Sequence, residues 1–145
     1  MANHRQALKR AKQSERRRQR NIAVKSRIRT RVRALHYAVD QIRQLEAGKS
    51  IHAQEVEKHL KWVSEHKAAD LKRVGAAGLV DEATALLESY DSGKHADFLR
   101  KLARTDLAES TRLLGKAASK GVVHKRNASR HISRLTRLVN GVAAA

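Results

Sequence analysis

The first glycine of this 145-residue chain is Gly48, and proline is absent throughout. Nothing in residues 1 to 47 therefore obliges the backbone to leave a helix. Locally the stretch SRIRTRVR argues for a strand, because Ile28, Thr30 and Val32 alternate with arginine. The wider window favours a helix: Val24, Ile28, Val32, Leu35, Val39 and Ile42 recur at intervals of four, four, three, four and three, which is one helix face sustained over several turns. The spacing predicts one helix to about Ala47, stopped by Gly48. Reaching back to Gln6, it would be roughly 60 Å long, longer than a small domain needs.

The apolar stripe begins only near Val24. Upstream, between Asn3 and Asn21, Ala7, Leu8 and Ala11 are the only apolar residues of an arm that contains SERRRQRN at 14 to 21. Such an arm has no protein core to join, and isolated helices are marginal in water. It is expected to fray until anions neutralise it.

Past Gly48, Ser50 is a candidate cap for a helix to about Val74 with Val56, Leu60, Val63 and Leu71 inward, ended by GAAG at 75 to 78. A short helix from about Asp81 to Tyr90 and a DSG turn at 91 to 93 follow. Residues 95 to 119 carry Leu99, Leu102, Leu107, Leu114 and Ala118, with Gly121 placed to terminate them. A last helix, about 124 to 140, has Ala128, Ile132, Leu135 and Val139 on one face and Arg126, Arg130, Arg134 and Arg137 away from it. The fold class is all-α. With only four aromatic residues, Tyr37, Trp62, Tyr90 and Phe98, the core rests on Leu, Val, Ile and Ala, which suits helix-on-helix packing.

Charge is distributed unevenly. Residues 1 to 35 hold 13 Lys/Arg and one acid, Glu15; residues 36 to 111 hold 11 Lys/Arg and 13 acids; residues 112 to 145 hold eight Lys/Arg and no acid. Two cationic ends flanking a near-neutral middle point to a polyanion as partner. The alternative, a solvated tail kept for solubility, explains one end but not both. Stacking on unpaired bases needs exposed rings among the cations; the arm has none before Tyr37 and the C-terminal segment has none, so contacts to the backbone of structured RNA or DNA are expected.

Other chemistries find little support. Cysteine is absent, which removes disulfides, thiolate metal sites and cysteine nucleophiles. His52, His59 and His66 recur every seven residues, about 10 Å apart along a helix, too far for one ion to bridge neighbours; they are expected at polar surface positions. There is no Gly-rich phosphate loop, no HExxH and no distinctive carboxylate pair, so neither an enzyme nor a cofactor or small-molecule substrate is expected. No run of about 18 apolar residues suggests a membrane partner. NIAVKSRIRTRVRAL from Asn21 resembles a leucine-zipper basic region, but its seam ends at Gly48 after about three heptads.

MANHRQALKRAKQSERRRQRN, then KSRIRT, and near the other end KGVVHKRNASRHISRL together resemble the opening and closing signatures of the bacterial small-subunit ribosomal protein twenty family. The likeness covers about residues 1 to 35 and 112 to 140. It implies a structural rRNA-binding protein of the bacterial small ribosomal subunit, cytoplasmic and within the ribosome, with small-subunit ribosomal RNA as partner and contacts to other small-subunit ribosomal proteins open to it. The implied fold is a three-helix-bundle core with a very long first helix. The positions that match are Ala2, Asn3, Lys9, Arg10, Asn21, Lys25, Ser26, Arg29, Thr30, Lys120, Gly121, His124, Lys125, Ala128, Arg130, Ser133, Arg134 and Leu135. Candidate RNA contacts are Asn3, Arg5, Lys9, Arg10, Lys12, Arg16, Arg17, Arg18, Arg20, Asn21, Lys25, Ser26, Arg29 and Thr30, then Lys120, His124, Lys125, Arg126, Asn127, Arg130 and Arg134. For His124 a helix-start hydrogen bond competes with direct RNA contact.

The chain also departs from the family. Arg126 stands where the family usually has Asn, with Asn127 next, and Arg5 and Gln6 replace the common Lys and Ser. The middle is much longer than the usual link. The expected organisation is residues 1–48, a long helix with its basic arm; 49–93, an inserted near-neutral segment of one or two extra helices; and 94–145, a closing helical pair. The competing function is a nucleoid-associated DNA-binding protein using the same charge.

Overall fold

A computed structural model describes residues 4–48 and 53–143, and within them every regular element is helical. The first helix, α1 (Arg5–Glu46), has 42 residues, about 63 Å at 1.5 Å per residue. Its buried face comprises Ile28, Leu35, Ala38, Val39, Gln41 and Ile42, with Val24 and Val32 partly covered. Gly48 closes it with φ +66° and an N–H donated to the Leu45 carbonyl at 3.0 Å. The arm, expected to fray without phosphate, is helical from Arg5 onward in the structure. Arg, Lys, Gln and Ala are strong helix formers, and Glu15 accepts from Gln19 at 3.3 Å and meets Arg18 at 3.8 Å.

The later helices are α2 (Ala53–His66), α3 (Ala68–Arg73), α4 (Gly78–Glu88), α5 (Ser92–Ser119) and α6 (Lys125–Ala143). The second half of α1, α5 and α6 form a three-helix bundle. Lys25, Arg29 and Arg33 share a pocket with Leu114, Val123 and His131. At the other end Arg100 donates to Glu46 at 3.0 Å and to the Val142 carbonyl at 3.2 Å. Hence α5 runs antiparallel to α1 and α6 parallel to it.

The middle segment covers this bundle. Val56, Leu60, Val63, Leu71, Leu79, Ala83 and Leu86 join Phe98, Leu99 and Leu102 in one core. The continuous helix expected to reach Val74 is instead interrupted at Lys67, so α2 and α3 are two parts of one bent rod and α4 is a second. Backbone hydrogen bonds cross the bend, Lys67 N–H to Val63 at 3.1 Å and Leu71 N–H to Lys67 at 2.9 Å. The Lys67 side chain turns inward to Asp106, Leu71 is buried, and Asp70 pairs with Arg31 of α1 and with Arg73. The cap assigned to Ser50 lies outside the described residues.

Two boundaries differ for identifiable reasons. The helix expected from Asp81 starts at Gly78, because the Ala76 and Ala77 carbonyls already accept from Leu79 and Val80 at 3.2 and 3.0 Å. The DSG segment is a helix start rather than a free turn: the Asp91 carboxylate accepts from Gly93 N–H at 2.8 Å and Lys94 N–H at 3.3 Å, an N-cap. His59 also corrects the expectation of surface polar histidines. Its ring lies 4.8 Å from Tyr37 and 6.5 Å from Trp62, and burial, with Lys67 and His95 adding, lowers its pKa to about 4. His66 is exposed as expected, and His52 lies outside the described residues.

Candidate nucleic-acid interface

The arm presents its cations all round the helix. Arg5, Lys9, Arg10, Lys12, Arg16, Arg17, Arg18 and Arg20 are all exposed. Arg18 faces Glu15 across 3.8 Å; the other seven have no acid partner among the described residues, and Arg20 donates to the Arg16 carbonyl at 3.3 Å. Side chains of this kind repel one another until a dense anion is laid against them.

Where α1 enters the bundle, the charge becomes organised. Arg17, Arg20 and Arg27 of α1 face Lys116 and Lys120 at the end of α5 across a groove of about 660 Å³ floored by Val24 and Ala117. No acid lines it. Apolar packing thus holds five cations from two distant parts of the chain around one concavity, so part of the repulsive work of gathering them is done by the fold. Asn21 sits in the same groove and supplies both a donor and an acceptor. On the other side of Ile28, Lys25, Arg29 and Arg33 meet His131 in a second pocket of about 500 Å³.

The connection between α5 and α6 fixes the third group. Gly121 adopts φ +68°, its N–H donates to Ala118 at 3.1 Å, and Val122 N–H reaches Ala117 at 2.9 Å. This paired closure is a Schellman motif, which needs a left-handed residue at the glycine position. The chain then reverses at once into α6, where His124 Nδ1 accepts from Arg126 N–H at 3.3 Å. That is the helix-start bond that competes with direct RNA contact for His124; it leaves the Nε2 side as the donor in the neutral ring. Lys125, Arg126, Asn127, Arg130 and Arg134 follow on the exposed side of α6.

Some of the candidate contacts from the two ends are therefore brought together at one end of the bundle. Arg17, Arg20, Asn21 and Lys120 share the first groove, and Lys25 and Arg29 line the second. Ser26 and Thr30 are exposed beside them, with the Thr30 hydroxyl donating to the Ser26 carbonyl at 3.1 Å. Asn3 lies outside the described residues. Sequence reasoning missed Arg27, Arg33, Lys116 and His131, which enter only because α5 and α6 cross α1 beside them. It also gave no warning that two cations of the basic runs are already spent: Arg31 pairs with Asp70, and Arg112 grips Glu109 through bonds of 2.8 and 2.7 Å.

The sequence profile described as Ribosomal protein S20 matches residues 2–140. The chain is similar to the small ribosomal subunit protein bS20 of Geotalea uraniireducens (strain Rf4), 33% identical over 140 residues with 97% of each chain covered. It is similar to that of Nitratidesulfovibrio vulgaris (strain DP4), 32% identical over 143 residues, covering 99% of this chain and 100% of the relative. To the Geobacter sulfurreducens protein it is 58% identical over 38 residues, 26% of this chain and 44% of that one. No solved structure matches.

Proposed function

The chain belongs to the ribosomal protein S20 family, and we propose that its arm, its basic groove and the start of α6 are the surface by which it holds small-subunit ribosomal RNA. It is a structural constituent of the small ribosomal subunit that binds ribosomal RNA and supports its assembly, not an enzyme, and it works in the cytoplasm as part of the ribosome. The observation that carries the site assignment is the acid-free groove of Arg17, Arg20, Arg27, Lys116 and Lys120 continuing directly into the exposed arm.

Mechanistically, the groove and arm differ in role. Groove cations are preorganised and give a fixed geometry to phosphates; arm cations are long, mobile and exposed, and gain mainly by releasing counterions. A rigid rod of this length can lie between RNA helices that repel one another and neutralise both. In this reading residues 49–93 are an insertion that buttresses the bundle, residues 1–48 carry the arm, and residues 94–145 close the bundle. The near-neutral charge of the middle agrees with a bracing role. The DNA-binding alternative rested on charge alone, which serves either polymer, and family membership leaves it without support.

Competition binding at moderate salt tests the proposal, with the full chain, folded small-subunit ribosomal RNA, and excess duplex DNA or unrelated folded RNA. Ribosomal RNA is expected to resist both competitors. Equal competition by every polyanion would overturn site-specific recognition by this surface.

A further inference from the structure

The middle segment adds something the basic ends lack. Tyr37 of α1 and His59, Trp62 and His66 of α2 form a ladder of rings, with centroids 4.8, 6.5 and 5.9 Å apart and the last two pairs within 15° and 13° of parallel. His59, inside the ladder, is half-buried, while the rings on either side of it reach the surface: Tyr37 is 38% and Trp62 39% exposed, and His66 is exposed. Trp62 and His66 line a pocket of about 450 Å³ whose opposite wall is the polar face of α1, with Ser26, Arg27, Thr30 and Arg31. Exposed rings beside cations are what the linear sequence did not offer, and the fold assembles them from residues separated by more than thirty positions.

The polar groups of this pocket divide by availability. Arg31 is committed to Asp70, and Lys67 to Asp106 at 2.6 Å with its Nζ 5.6 Å from the Trp62 ring centre. Both stiffen the wall. Arg27 has no acid partner among the described residues and also borders the basic groove, so one guanidinium joins the aromatic pocket to the phosphate-binding surface. A flat ring to extend the ladder, one cation for the attached phosphate, and the Ser26 hydroxyl for a base edge make a site for a nucleotide rather than for an aliphatic side chain.

We propose that the pocket between α1 and α2 receives one unpaired base of the bound RNA, stacked at the open Trp62–His66 end of the ladder with its phosphate on Arg27. The proposal rests on the RNA-binding reading and adds to it a specific preference, for RNA with a base turned out of its helix beside the groove. It also gives the inserted segment a recognition role in addition to bracing.

Trp62 is the only tryptophan of the chain, so its fluorescence reports on this site alone. The full chain is titrated with small-subunit ribosomal RNA and, separately, with a fully paired RNA duplex, while binding is followed independently by the anisotropy of end-labelled RNA. Stacking is expected to quench Trp62 with ribosomal RNA and not with the duplex, although both bind. His66→Ala, at an exposed position, is expected to weaken ribosomal RNA binding about fivefold or more and leave duplex binding unchanged. Binding by anisotropy without quenching, or equal quenching by the duplex, overturns the base site and leaves RNA binding intact. Absence of binding to ribosomal RNA in both readouts overturns the RNA-binding reading and this site with it.

Discussion

Lys67 Nζ donates to the Asp106 carboxylate at 2.6 Å, with the two side chains only 2% and 5% exposed. The pair joins the bend between α2 and α3 to the middle of α5, across 39 residues of chain. Burial pushes the Asp106 carboxyl up while Lys67 pulls it down, so its ionised form depends on its partner. Removing one member leaves an uncompensated buried charge, which costs about 3–5 kcal/mol. Lys67→Met is therefore expected to lower unfolding stability by about that much in urea titrations. Lys67→Met with Asp106→Leu should recover most of the loss, since a well-packed apolar pair is often neutral against an ion pair. A double variant no better than the single one would show that the pair's geometry itself, rather than charge balance, holds the segment.

Gly121 carries a second, smaller prediction. At φ +68° with nothing within 4 Å of an added Cβ, the cost of a side chain is purely conformational. Gly121→Ala is expected to cost about 1–2 kcal/mol, read as a lowered Tm, and to weaken RNA binding only in so far as Lys120 and His124 move apart. Gly115, near the C-terminal end of α5 but still within the helix and with open space around it, is the control. Gly115→Ala should stabilise the helix by up to about 1 kcal/mol.

Much of this architecture was legible because it depends on local spacing. Val24 through Ile42 define the buried face of α1, and Gly48 and Gly121 mark real helix ends, since only a left-handed residue closes those turns. What escaped was set by partners far along the chain. Nothing near Lys67 announces a bend, because a lysine in a helix reads as solvated unless Asp106 is known to face it. Asp91 reads as a turn because the same carboxylate-to-amide bonds build turns and helix caps alike. The arm and the α6 cations could be found from composition. Lys116 and Arg27 could not, because each looks like an ordinary helix-surface residue until α5 is laid across α1.

His59 makes acid sensitivity predictable. Its pKa is lowered from 6.5 to about 4, first by burial and then by the charges of Lys67 and His95. The unfolded chain therefore binds the extra proton at higher pH than the folded one. The stabilising contribution is complete above about pH 6.5 and is lost as pH falls towards 4. Between pH 7 and about pH 5 the loss from this group alone is about 2 kcal/mol. His59→Phe, which keeps an aromatic ring between Tyr37 and Trp62, is expected to abolish that part of the dependence. Urea unfolding of both proteins at the two pH values isolates the histidine, because the carboxylates are common to both. Parallel pH dependences would rule His59 out as the source.

The arm offers the sharpest separation of binding from folding. From Arg5 to Ala23 every residue except Ala7 is exposed, and none contributes to the core. Removing residues 1 to 20 should leave the Tm within a few degrees of the full chain, a shift of less than about 1 kcal/mol. The shortened helix would begin at Asn21, itself a favourable capping residue. Affinity for ribosomal RNA is expected to fall by more than about tenfold at moderate salt. Each phosphate that the protein no longer neutralises reduces the slope of log K against log salt by about 0.7 to 0.9, so releasing four phosphates would flatten it by about 3. Lys116→Gln with Lys120→Gln, which keeps the arm and thins the groove, should flatten it by only about 1.5. Unchanged affinity and slope after truncation, which also takes Arg17 and Arg20 from the groove, would remove the arm from the RNA surface and leave Arg27, Lys116, Lys120 and the start of α6 to carry it.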